Sequence, residues 1–120
     1  MREESFSLIR TLAERFPGLK HPLDEHIEAN DEILPHVFFY DVTLYVLALA
    51  ASVRLGSKPA ERELRAILDL FEERFTNGSE DVQELISASF LENVPMPGEK
   101  GAEIREMVGP NMRVRLDLIG

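Results

Sequence analysis

Val37-Phe38-Phe39-Tyr40-Asp41-Val42-Thr43-Leu44-Tyr45-Val46-Leu47-Ala48-Leu49-Ala50-Ala51-Ser52-Val53 is the stretch on which the fold turns. Only Asp41, Thr43 and Ser52 lack a largely apolar side chain, so a helix built here is apolar nearly all round and needs cover on several sides. It reads as the buried centre of a small helical domain. It falls short of the roughly 20 apolar residues a membrane span needs, and an aspartate near its start makes insertion costlier still. No membrane association is expected.

Upstream, Phe6, Ile9, Leu12, Ala13 and Phe16 recur at helical spacing. Glu3 and Glu4 sit towards the positive end of that first helix, Arg10 and Arg15 towards the other, and Pro17-Gly18 stops it. Pro22 suits the first position of a second helix, with Leu23 and Ile27 as its apolar stripe and Asn30 closing it. Ile33, Leu34 and Pro35 lead into the central helix, which starts either at Pro35 or, after a brief turn, at an Asp41 cap. Arg54 and Gly56 end it.

Downstream, Ser57 and Pro59 open a fourth helix in which Leu64, Ile67, Leu68, Phe71 and Phe75 share one face. Asn77-Gly78 ends it, and Ser79 with Glu80 and Asp81 caps a fifth helix that points Val82, Leu85, Ile86, Phe90 and Leu91 mostly inward. So short a connection forces an αα-hairpin. After a loop at Val94 to Gly98, a short helix over Ile104 to Val108 precedes Gly109. The tail fits two patterns, because Met112, Val114, Leu116 and Leu118 alternate like a strand while Met112, Leu116 and Ile119 keep helical spacing. No other segment offers a strand partner, so a seventh helix from Pro110 is expected, with a strand-mediated dimer as the alternative. The expected architecture is one all-α domain over residues 1–120, a bundle of six to seven helices whose hairpins would stack in a HEAT-like manner around residues 37–53.

The 120 residues carry 13 Lys and Arg against 22 Asp and Glu, a net charge of -9, which repels nucleic-acid backbones and anionic membranes and attracts basic partners. There is no cysteine, hence no disulfide and no thiolate metal site, and no secretory pattern opens the chain; a cytoplasmic location is expected. The charge is uneven. Between His21 and Val53 there is no Lys or Arg, while Asp24, Glu25, Glu28, Asp31, Glu32 and Asp41 are all acidic. Together with His36, Phe39 and Tyr40, aromatic residues beside a charged rim, they form the candidate partner-binding set.

Catalytic patterns are missing. His21 and His26 are five residues apart, as are His36 and Asp41, and five helical steps turn a side chain by about 140° onto another face. Neither His-Glu-x-x-His nor a nucleophile elbow nor a phosphate-binding glycine loop occurs. No cofactor and no metal are expected; a metal-dependent enzyme using His36, Asp41 and Glu92 is the remote alternative.

Leu34-Pro35-His36-Val37-Phe38-Phe39 with Tyr40-Asp41-Val42-Thr43, Glu80 to Ile86 running into Ser89-Phe90-Leu91-Glu92-Asn93, and Gly109-Pro110 resemble the motifs of a family of small acidic bacterial proteins of unknown biochemical activity. The resemblance extends over most of the chain, from the Phe16-Pro17 stop onward. Members of that family look like the immunity proteins of polymorphic or contact-dependent toxin systems. What the resemblance implies is a protein that binds a cognate toxin domain, most simply a basic one, and neutralises it by occlusion, with no catalytic residue to carry over. A regulatory or scaffold module, monomeric or weakly homodimeric through Met112 to Ile119, is the competing expectation.

Overall fold

Residues 3–119, the part of the chain that the computed structural model describes, form α1 (Glu3–Arg15), α2 (Lys20–Asn30), α3 (Pro35–Arg54), α4 (Lys58–Asn77), α5 (Glu80–Ser89), α6 (Ile104–Met107) and α7 (Pro110–Ile119). Single 3-10 turns at Pro17–Leu19 and Leu91–Asn93 complete the helical structure, and no strand occurs among the described residues. The tail is therefore a helix.

α3 starts at Pro35, whose missing N–H costs nothing at a first helical position, after an extended Leu34. Asp41 thus lies inside the helix instead of capping it. At the other end Gly56 takes a φ of 93°, turning the chain within three residues into α4, where the Ser57 hydroxyl accepts the Ala60 N–H at 3.2 Å. The cap expected at Ser79 takes a different form. Its hydroxyl is buried with no hydrogen-bond partner among the described residues, and the backbone N–H of Ser79 donates instead to Glu4 of α1 at 3.1 Å. Ser5 Oγ donates to Asp81 one residue further along α1, at 3.0 Å. These bonds bring α1 back onto α5, so the helices close into a globule.

The core follows from the apolar faces. α1 supplies Leu8, Ile9 and Leu12, α4 supplies Leu64, Ile67, Leu68 and Phe71, and α5 supplies Val82, Leu85 and Ile86, all fully or nearly fully buried. α3 contributes Phe38, Phe39, Val42, Val46 and Ala50, and packs most extensively on α4. Phe39 meets Phe71 with ring centroids 5.4 Å apart, and Phe71 meets Phe90 edge-on at 5.0 Å. α3 is covered on several sides, by α4, α5, α1 and α2, and one side stays open. Val37, Tyr40 and Leu44 are 55%, 58% and 50% exposed.

α7 is joined to the core through one carboxylate. Glu72 of α4 accepts the backbone N–H groups of Asn111 and Met112, each at 3.0 Å, and so serves as the N-terminal cap of a helix 39 residues later in the chain. A Cβ at position 109 would collide with the Glu72 side chain, which accounts for the Gly109-Pro110 pair. Glu72→Ala leaves both N–H groups without this partner and is expected to lower stability by about 1–2 kcal/mol. Chemical denaturation measures the loss, and amide exchange at Asn111 and Met112 locates it; unchanged protection at those two amides would refute the capping role.

Candidate partner-binding site

The four-residue connection from α2 to α3 is fixed by a histidine. His26 is buried, and its Nε2 accepts the Leu34 N–H at 3.0 Å while the ring leans on Phe38 at 5.5 Å. Asn30 donates its side-chain amide to the His26 carbonyl at 2.9 Å, and Asp31 takes a left-handed φ of 60°, which a short polar side chain tolerates. Asn30 closes α2 as expected, and the chain reverses at the left-handed Asp31 that follows it.

Between the two helices held this way runs an open groove of about 620 Å³. Its apolar floor comes from Leu19, Pro22, Ala29, Val37 and Leu44, with Glu25 on the α2 side, Asp41 on the α3 side and Tyr45 at its edge. The Tyr45 hydroxyl donates to the Glu63 carboxylate of α4. Burial first, and then that hydrogen bond and the Glu63 charge, push the phenol from its usual 10.0 up to about 12.

The structure sorts the candidate residues into separate places. Glu25, Asp41 and the exposed Tyr40 lie at or beside the α2–α3 groove. Glu28, Asp31 and Glu32 are exposed around the end of α2. Asp24 turns the other way, into a hollow shared with Arg10 and Lys20. His36 is exposed with its Nδ1 2.8 Å from Ser89 Oγ, and borders a smaller hollow with Ser5 and Asp81. Phe39 is corrected: it is wholly buried against Phe71 and offers no surface to a partner. One helical step of about 100° separates it from Tyr40, enough to exchange core for solvent.

Sequence reasoning missed Val37 and Leu44. They lie on the same side of α3 as Asp41 and the exposed Ala48, at steps of three and four residues. Asp41 was the available signal, since an unpaired carboxylate inside an apolar helix marks the side that meets water. His36, Asp41 and Glu92 are not brought together, and no group of three His, Cys, Asp or Glu side chains placed to hold a metal occurs among the described residues.

Residues 9–115 match the profile of a family described as a domain of unknown function (DUF7674). No curated protein and no solved structure matches the chain.

The raised Tyr45 value carries a pH dependence of definite sign. The folded chain holds this proton longer than the unfolded chain, so the contribution is complete below pH 10 and is lost as pH rises through about 12. Absorbance titration is expected to show a late-ionising tyrosine that Tyr45→Phe removes, and the alkaline fall in stability should be shallower in that variant. Identical titration curves for the two proteins would exclude the assignment.

Proposed function

The chain belongs to the DUF7674 family, and we propose that it is a non-catalytic protein-binding domain of the immunity type, which sequesters a basic toxin domain in the cytoplasm by occluding it. One observation carries the reading: the most apolar helix of the chain leaves Val37, Tyr40 and Leu44 open to solvent beside Glu25 and Asp41. An apolar centre with a charged rim is how protein interfaces are commonly built. The rim is of one sign, since no Lys or Arg lies between His21 and Val53, and such a field raises association with a cationic partner by roughly 10- to 1000-fold at low salt.

The test is affinity capture from the protein's own cells with wild type and Leu44→Asp, washed at low and high salt. Leu44 is half exposed, so the substitution leaves the core intact. The expected result is a basic protein captured by wild type, depleted by salt and absent with Leu44→Asp. Expressed alone, that protein should arrest growth, and co-expression of this chain should relieve the arrest. A captured protein that is harmless removes the immunity reading, and capture that is indifferent to Leu44→Asp removes the surface.

A second reading, a self-associating scaffold module, is favoured by α7, which turns Val114 and Leu118 to solvent at 62% and 78% exposure. It predicts a dimer by light scattering that becomes monomeric in Leu118→Asp. A wild-type monomer at high concentration would eliminate it.

A further inference from the structure

We infer that the α2–α3 groove receives an amphipathic α-helix that carries Lys or Arg along the edge of its apolar face. The inference rests on the partner-binding reading above and adds the form of the occupant. The exposed side of α3 is a straight line of side chains, Val37, Asp41, Leu44 and Ala48, repeating at helical spacing. From Val37 to Ala48 it runs about 16 Å, or three turns. Rows of side chains at this spacing accept the complementary rows of another helix, which would lie in the groove as a third member beside α2 and α3.

An extended peptide has no comparable way in. No strand occurs among the described residues, so no sheet edge exists to which a peptide could add by backbone hydrogen bonds. Recognition at this surface therefore falls to side chains. A small molecule would find the groove too open, because binding clefts bury roughly 70–90% of their ligand, whereas here the apolar lining residues Val37 and Leu44 remain half exposed.

The charges then define the edge of the incoming helix. Glu25 lines the groove from α2, and Asp41 lines it from α3 on the side of the Val37 and Leu44 stripe that faces α2. Glu25 has an ion-pair partner only in the exposed His21, at 2.7 Å, and Asp41 has none among the described residues. Both carboxylates are available to cations along the edge of an apolar stripe seated on Val37 and Leu44. An acidic amphipathic helix would meet like charge at Glu25 and Asp41, and an anionic membrane surface would meet the same repulsion.

The experiment uses the full chain and three synthetic peptides: a Leu/Lys peptide with Leu at i, i+3, i+4 and i+7, the same composition scrambled, and a Leu/Glu peptide of the first pattern. Fluorescence anisotropy reads binding, and circular dichroism reads helix formation. The patterned Leu/Lys peptide is expected to bind and become helical, the scrambled and acidic peptides to bind at least about tenfold more weakly, and Leu44→Asp and Asp41→Lys to weaken binding by a similar factor. Glu84→Lys, on the exposed side of α5, should change little. Equal binding of the patterned and scrambled peptides, or indifference to Leu44→Asp, would overturn the helical occupant. So would Leu44-dependent binding to neutral lipid vesicles with no binding of the peptide. If a captured cellular protein depends on Leu44 while the patterned peptide does not bind, the docking surface stands and the helical occupant is wrong. A captured protein indifferent to Leu44→Asp fails the underlying reading itself.

Discussion

The contact of Phe71 with both Phe39 and Phe90 is the constraint around which the other helices are arranged. It joins α3, α4 and the end of α5 through centroid distances of 5.4 and 5.0 Å, with the Phe90 ring edge-on. Such aromatic pairs add about 0.5–1.5 kcal/mol each beyond the area they bury. Their larger effect is on direction. Once Phe39 is committed to Phe71, the rotation of α3 is fixed, and Phe38, Val42, Val46 and Ala50 are carried into the core with it. The same rotation turns Val37, Tyr40, Asp41 and Leu44 outward. The open apolar side is thus a geometric consequence of the core: a 20-residue helix that is apolar nearly all round has more apolar surface than the neighbouring helices cover.

This explains what the sequence made legible and what it hid. α4 could be read directly, because Leu64, Ile67, Leu68, Phe71 and Phe75 occupy one face and charged residues the other. The tail was settled by the absence of any strand partner, and it is helical. α3 resisted orientation because periodicity carries no information where nearly every residue is apolar; Phe39 and Tyr40 look equivalent in the sequence and end at 0% and 58% exposure. Bonds between distant groups were equally hidden. Glu72 reaching α7 and Glu4 reaching Ser79 join residues 39 and 75 positions apart, and His26 acts through a backbone N–H that no side-chain pattern marks.

The acidic run also differs from an ordinary solvated face in how it sits on its helix. α1 follows the helix dipole, with Glu3 and Glu4 in the first turn and Arg15 in the last. α2 does the reverse: its first turn has no acid and its last turn no base, and Glu28, Asp31 and Glu32 gather at its negative end. Each such placement is unfavourable by about 0.3–1 kcal/mol at low ionic strength. The only ion pair formed by these carboxylates among the described residues is His21 with Glu25. Local stability therefore gives no reason for the arrangement, which is what the proposed binding of a cationic partner would call for.

For the binding role proposed above, a surface formed before its partner arrives would be an advantage, since every loop or side chain ordered on association subtracts from affinity. The α2–α3 connection meets that requirement. His26 holds Leu34 just ahead of Pro35, Asn30 ties back to the His26 carbonyl, and the Asp31 N–H bonds to Ile27 at 2.7 Å. The two walls of the groove are thereby fixed by bonds that involve none of its exposed apolar residues. Val37, Tyr40 and Leu44 take no part in holding that connection. The packing of the core resides elsewhere, in Phe39 on the opposite side of α3, in Phe71 of α4 and in Phe90 after α5.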